Sequence, residues 1–297
     1  MQKIPLLSAR SWRLYRAISS SIVNAFLFKN PIIKAILHAA MSPFIANLTY
    51  HALEMESIIE HEGHMQGASA YVIDKGARGV HVHDANCVPE NKPVLFVANH
   101  AGLSDANALL MSSPRRDTHT LVFDDGILRG LEAFHKLMIP IDKENPTLAL
   151  RDTIKLLRAG QSILMFPAGE IEGDPALYLE DTLESLNTWS TSIEFFARHV
   201  PDLQVVPAGI GGVISRTALQ NPIVKQYQTQ SDRLFLAATF QLAFPAYRNP
   251  QLSIFYGQPL CGSDITMENV RSQMQNLIRK VNAEQTEIFG DDQSIHN

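Results

Sequence analysis

The run Val94-Leu-Phe-Val-Ala98 constrains this chain more than any other stretch. It is too short for a core helix, it is apolar throughout, and it stops at Asn99-His100-Ala-Gly102. An apolar run of that length with no alternation fits a strand covered on both faces, which calls for a parallel sheet with helices on either side. Further segments repeat the theme. Gly79 to His83, Thr120 to Phe123, Met138 to Ile141, Ser162 to Phe166, Gln204 to Val206 and Leu252 to Tyr256 are expected strands, and Tyr71 to Ile73 is another. Between them lie expected helices: one to about Met111, then Ile127 to Lys136, Leu148 to Arg158, Trp189 to Arg198 and Leu234 to Phe244. In the helix from Leu148, the spacing turns Leu148, Ile154 and Leu157 inward, and Gly160 supplies the C-cap. Ile171 to Leu186 has no clear period, and from Asp264 an apolar stripe through Val270, Met274, Leu277 and Val281 marks a last amphipathic helix. Alternating strands and helices predict an α/β fold with a mostly parallel central sheet flanked by helices.

The carboxyl end of a buried strand is where open α/β folds place their chemistry, and here that end carries His100. Asp105 follows five residues later. On a continuous helix the two would lie about 140° apart and could not meet. They can meet if His100 sits in the turn and Asp105 in the first turn of the next helix. Gly102, through its backbone freedom, and Ser104, as an N-cap, suit that break. A carboxylate beside an imidazole fixes its tautomer and stabilises its protonated form, which are the requirements of a general base.

The chain has 297 residues, 45% of them hydrophobic, enough for one α/β domain with an appendage. Its formal charge of −5 excludes an overall basic field for nucleic acid. The charge is unevenly placed. Lys3, Arg10, Arg13, Arg16, Lys29 and Lys34 precede the first acidic residue, Glu54. Trp12, Tyr15, Phe26, Phe28 and Phe44 are mixed among them, as in helices that lie in a membrane interface. A helical hairpin packed on the core with its cations in water accounts for the same residues. Residues 1–65 are expected to form this helical unit, with the membrane surface met through 1–53, and residues 66–297 the α/β domain. The two cysteines, Cys87 and Cys261, are far apart and indicate no disulfide framework. No signal peptide is expected, because the basic start is not followed by a small-residue cleavage site.

Several strand ends now share an order: Asn99-His100 with Asp105, Pro140-Ile-Asp142-Lys143, Phe166-Pro167-Ala168-Gly169-Glu170, Val205-Val206-Pro207, and Tyr256-Gly257-Gln258-Pro259. That order resembles the glycerolipid acyltransferase family, of which 1-acylglycerol-3-phosphate acyltransferase is the best-known member. The family's blocks read N-H-x-x-x-x-D, I-D-R, F-P-E-G-T-R, an apolar strand ending in proline, and G-x-P. The resemblance implies transfer of a fatty acyl group from acyl-CoA or acyl carrier protein to a hydroxyl of a glycerolipid or lysophospholipid-like acceptor, with no cofactor beyond the thioester. It implies His100 as general base, Asp105 as its partner, and a substrate site drawn from Asn99, Asp142, Lys143, Phe166, Pro167, Gly169, Glu170 and Pro207. N–H groups around Gly169 are candidate oxyanion donors. Such an enzyme is expected at the cytoplasmic face of a membrane, peripheral or monotopic. The contrasting reading is a non-catalytic lipid-binding or scaffold protein that keeps the fold.

The departures concern the acceptor. The family's glutamate is Ala168 here, its threonine and arginine are Glu170 and Ile171, and Asp124-Asp125 stand where a lysine is usual. Carboxylates near a phosphate dianion cost energy. Lys143, Arg129 and Arg151 remain as cations able to grip one. The acceptor is therefore expected to be something other than a simple phosphomonoester. Glu170 either stands in for the missing carboxylate or is an exposed loop acid. His81, His83, Asp84 and Cys87, like His61 and His64, lack a second ligand cluster at fixed spacing, so no metal is expected. There is no G-x-S-x-G element, and Gly209-Ile-Gly211-Gly212 is too short for a dinucleotide fingerprint.

Overall fold

The computed structural model describes residues 8–26, 30–123, 130–142 and 145–290. Helices α1 (Ala9–Ala25), α2 (Pro31–Glu62) and α3 (Gln66–Gly76) lead into β1 (Gly79–His83) and β2 (Val94–Ala98). Then follow α4 (Asp105–Ser112), β3 (Thr118–Phe123), α5 (Glu132–Lys136), β4 (Met138–Ile141), α6 (Pro146–Arg158) and β5 (Ser162–Met165). The chain continues through α7 (Leu179–Ser185), α8 (Ser192–His199), β6 (Gln204–Gly211), α9 (Arg216–Leu219), α10 (Pro222–Lys225) and α11 (Gln230–Ala243). It closes with β7 (Gln251–Tyr256), β8 (Leu260–Cys261) and α12 (Met267–Phe289).

The strands form one sheet in the order β1-β7-β6-β2-β5-β3-β4, with β8 beside β6. The five strands β6, β2, β5, β3 and β4 are mutually parallel; β7 and β8 run antiparallel to β6, and β1 runs with β7. The expected α/β architecture is the one observed. Every residue of β2 is buried. Its alternate side chains feed two cores: Val94, Phe96 and Ala98 pack with Leu109, Ile254 and Tyr256 on one face, Leu95 and Val97 with Leu157, Phe196 and Ile278 on the other. Two-sided burial explains why β2 reads as an unbroken apolar run.

A third core joins α1 and α2 to α11, through Ile22, Phe26, Ile45, Leu236 and Phe240. Arg10 from α1 ion-pairs with Glu56 of α2. The buried Glu56 also accepts the N–H groups of Ala133 and Phe134, at 2.7 and 3.0 Å, tying the amino-terminal helices to α5. Part of the acid-free charge is thus turned inward. Trp12, Ile32, Ile33 and Ile36 of these helices are among the most exposed large hydrophobic residues described, and Arg13, Arg16 and His38 are exposed with them. By length and composition alone α2 could cross a membrane. Lys3, Phe28 and Lys29 lie outside the described residues.

Five expectations need correction. Tyr71 to Ile73 is helical, within α3, whose Ala68, Ser69 and Ile73 are buried. Tertiary packing overrode the strand preference of Tyr-Val-Ile. In α6 Leu157 is buried and Ile154 packs partly buried on the core, as expected, but Leu148 is exposed, and Ala149 and Thr153 are buried in its place. The segment after Ile171 contains α7, and β6 runs five residues past Val206. The helix expected from Ile127 is seen over Glu132–Lys136, and residues 127–129 lie outside the described residues. After α6, Gly160 adopts φ +82° while its N–H bonds Leu157 and that of Gln161 bonds Leu156, the Schellman closure expected of a glycine there.

Candidate active site

The parallel strands β6, β2, β5, β3 and β4 end along one edge of the sheet, and His100 lies at its centre, two residues past β2. Its imidazole Nδ1 lies 2.7 Å from Asp105 Oδ2. Asp105, fully buried, opens α4. Its carboxylate also accepts the N–H groups of Gly102 at 3.0 Å and Ala106 at 2.7 Å. With those donors filling its other sites, the carboxylate is fixed before it meets the ring. Nδ1 then carries the proton and donates it, which leaves the Nε2 lone pair free to accept one. Nε2 has no partner among the described residues, and about 25% of the side chain is open.

The turn is built differently from the sequence expectation. Ser104 holds the N-cap position without a side-chain bond, and the Asp105 carboxylate takes the Ala106 N–H of the first turn. Gly102 has an ordinary φ; a Cβ there would come within 2.9 Å of Ile214 Cδ1 and 3.1 Å of Val213 Cγ1. Glycine is needed for close approach rather than for backbone freedom.

Phe166, just past β5, stacks on the imidazole at 4.4 Å between centroids and 21° between planes. An aromatic face at that distance steadies the ring and favours its cationic form. Glu172 grips the turn from the other side. The N–H of His100 donates to Glu172 Oε2 at 2.8 Å, and the N–H of Glu172 donates to the His100 carbonyl at 2.7 Å. Glu172 Oε1 accepts from Ser185 Oγ and from Trp189 Nε1, at 2.5 and 2.9 Å. Burial pushes the Glu172 carboxyl up, against the pull of Ser185, Trp189 and the His100 N–H.

Asn99 is fully buried. Its amide donates to the Ile210 carbonyl at 2.8 Å and accepts the Ile210 N–H at 2.9 Å, extending the β2–β6 ladder with a side chain. It positions His100 and has no surface to offer a substrate. Pro207 is likewise buried, level with Val97 in β6, and its carbonyl accepts the Gly257 N–H at 2.7 Å. Pro167 is buried, and its carbonyl accepts the Ser190 N–H. Gly169 and Glu170 are exposed. The Gly169 N–H donates to the Phe166 carbonyl at 3.1 Å with Gly169 at φ +72°, so this N–H closes a turn instead of serving as an oxyanion donor. Asp142 is exposed after the edge strand β4, three strands from β2, or about 14 Å across the sheet. Lys143, Asp124, Asp125 and Arg129 lie outside the described residues. Arg151 is exposed and paired with Asp152.

The structure therefore gathers His100, Asp105 and Phe166 into one cluster and sets Asp142 apart. It also adds Glu172, in the place expected of Glu170. Asp174 is the other addition. Fully buried, it accepts the N–H groups of Ala176, Gly212, Val213 and Ile214 at 2.7 to 3.0 Å, holding the loop that packs on Gly102.

Burial alone would lower the His100 pKa, but the Asp105 charge and hydrogen bond, helped by Glu172, outweigh it, and the net displacement is upward from 6.5. Any rate that needs the neutral ring should therefore rise with pH through an inflection above 6.5, and Asp105→Asn should bring that inflection down. An inflection that ignores this substitution in a pH–rate profile contradicts the assignment. The linkage has the opposite sign: stability owed to the protonated ring is complete below its unfolded pKa and is lost as pH rises through the raised folded value.

The sequence model of the Acyltransferase family matches residues 79–211 of this chain. The first four of the strand-end blocks lie within that span, and Gly257-Gln-Pro259 lies beyond it. Among solved structures, the 1-acyl-sn-glycerophosphate (LPA) acyltransferase PlsC from Thermotoga maritima is similar at 14% identity, over 94% of this chain and 95% of that one, with a TM-score of 0.43. No curated protein matches.

Proposed function

We propose, from the premise that residues 79–211 are an acyltransferase-family domain, that this protein moves a fatty acyl group from a coenzyme A or acyl carrier protein thioester to a hydroxyl of a glycerolipid or lysophospholipid-like acceptor. The observation that carries the reading is the Nδ1–Asp105 bond of 2.7 Å, which leaves Nε2 as a base at the open edge of the sheet. Nε2 takes the acceptor's O–H proton while the oxygen attacks the thioester carbon. The tetrahedral oxyanion collapses, the C–S bond breaks, and the imidazolium returns its proton to the departing thiolate. A thiolate leaves readily, so no acyl-enzyme is required. Asp105 and Phe166 both favour the transient imidazolium. No metal or organic cofactor enters this chemistry.

The field around the base is acidic, since the Asp105 and Glu172 carboxylates both act on His100. A phosphate dianion held next to the attacked hydroxyl is disfavoured there, so the acceptor presents a neutral hydroxyl group or keeps its phosphate at a distance. An acceptor panel with labelled acyl-CoA and acyl carrier protein tests this: ester should form with hydroxyl-bearing lysolipids, and a clear preference for lysophosphatidate contradicts the acceptor assignment. Absence of transfer with every donor and acceptor would favour a lipid-binding scaffold.

The exposed apolar residues of α1 and α2 support a place on the membrane surface, peripheral or monotopic; the cytoplasmic side is proposed because a coenzyme A or acyl carrier protein donor would be met there. Ile32 and Ile36, 69% and 64% exposed, flank Lys34 in the first turns of α2. Burying one isoleucine contributes roughly 1.5–3 kcal/mol, so Ile32→Ser with Ile36→Ser should weaken binding to anionic vesicles by a factor of ten or more and leave the melting temperature unchanged. Undiminished sedimentation with vesicles contradicts this orientation. Removing residues 1–53 would be a poorer test, since it also strips Leu14 and Ile45 from the cores.

A further inference from the structure

A cavity of about 230 Å³ opens beside the loop that follows β6, at the same edge of the sheet as His100. One water needs roughly 10–15 Å³ of such space, so the cavity admits far more than a single ion. Its charged lining is entirely cationic: Arg78, between α3 and β1, and Arg216, the first residue of α9, with no aspartate or glutamate. In a chain of net charge −5 that pairing stands out. Arg216 is held in place: its guanidinium lies 4.9 Å from the Phe289 ring centroid and donates to the Ala176 carbonyl at 3.2 Å. The Arg78 guanidinium makes no ion pair or hydrogen bond among the described residues, although its N–H is anchored to the Pro250 carbonyl at 2.8 Å. Thr217, Gln220 and Asn249 add neutral hydrogen-bonding groups. The floor includes fully buried Gln285, whose Oε1 has no partner among the described residues.

We infer that this cavity binds an organic phosphate, its phosphate held by Arg78 and Arg216 and its polar remainder by Thr217, Gln220 and Asn249. Paired guanidinium groups suit phosphate oxygens through charge-assisted, bidentate bonds. The cavity is too large, and too well supplied with hydroxyl and amide groups, for inorganic phosphate alone. Ile214 lines the cavity and also packs over Gly102 in the His100 turn, so the anion site and the base are neighbours across one loop. A phosphate placed here avoids the acidic surroundings of His100. Two sources share this chemistry: the nucleotide end of an acyl thioester donor and the phosphate headgroup of an acceptor.

Titration calorimetry with the full chain tests the inference without turnover, so its failure is separable from failure of the transfer reaction. The probes are inorganic phosphate, glycerol 3-phosphate, adenosine 3′,5′-bisphosphate and adenosine. At least one organic phosphate should bind more tightly than inorganic phosphate, and adenosine should not bind. The tighter of the two organic probes identifies the source. Arg78→Gln should weaken binding at least tenfold, as should Gln220→Glu, which places a carboxylate in the cavity; both positions are exposed, and their melting temperatures should hold. His100→Ala should bind the probe as the unaltered protein does. No binding of either organic phosphate overturns the inference, as does binding that neither Arg78→Gln nor Gln220→Glu weakens.

Discussion

His100→Ala should lower the rate of acyl transfer by roughly two to four orders of magnitude, the usual contribution of a positioned general base. The loss should appear in kcat and in kcat/KM alike, because proton abstraction belongs to the transition state and not to ground-state binding. The fold should survive. The imidazole is partly open, and the main-chain bonds between His100 and Glu172 do not involve its ring. What the substitution leaves behind is a buried carboxylate with one donor fewer, still held by Gly102 and Ala106. A cost of about 1–2 kcal/mol in stability is expected from that, measurable by denaturant titration and too small to unfold the chain. Residual turnover would come from thioester reactivity and substrate positioning. A variant with full activity would remove the imidazole from the chemistry.

Asp174→Ala should have the largest effect on stability, on the order of 4 kcal/mol, and a melting temperature lower by about 10 °C. Two oxygens serve four main-chain donors: Oδ1 accepts from Ala176 and Gly212, and Oδ2 from Val213 and Ile214. Alanine strands three buried donors in the loop after β6, and the part-buried Ala176 N–H beside Asp174 as well. Asparagine is not a safe replacement, because its NH2 group would face two of the same donors. Gly212 deepens the dependence. It sits at φ +70°, and a Cβ there would meet the Gln251 carbonyl at 2.4 Å, so the loop has little room to relax. Activity should fall with stability, since Val213 and Ile214 form the wall against which the His100 turn is packed. A thermal melt of Asp174→Ala within 2–3 °C of the unaltered protein would show that water replaces the carboxylate, contrary to this account.

The fold was largely legible because its signals are local. β2 reads as a buried strand from five consecutive apolar residues, all of which are buried. The meeting of His100 and Asp105 followed from their spacing: only a break before the helix allows it, and a break is present. Glu172 and Asp174 were not legible. Each lies in a stretch without periodicity, and the groups that give them meaning are N–H donors remote in sequence: 72 residues away for His100 and Glu172, 38 to 40 for Asp174 and the loop after β6. Glu170, two positions off, offered the same chemistry in the sequence and lies exposed in the structure. Asn99 and Pro207 carried the family pattern as truly as His100 did, yet their places in the β2–β6 ladder make them supports for the site, not parts of its surface. The expected stripe of α6 fails at Leu148 alone, for a similar reason. The row Ala149, Thr153 and Leu157 is buried, with Ile154 partly buried beside it, and this leaves Leu148 exposed.

Direct transfer onto an alcohol by the His100–Asp105 pair is the claim on which the functional reading stands. Single-turnover reaction of a labelled acyl thioester, with and without a hydroxyl-bearing lysolipid, tests it most directly when protein mass and lipid products are followed together. Ester should form only when acceptor is present, no acyl group should remain on the protein, and Asp105→Asn should slow the reaction at least tenfold. An acylated protein formed before acceptor is added, or ester formation at an unchanged rate in Asp105→Asn, would contradict it.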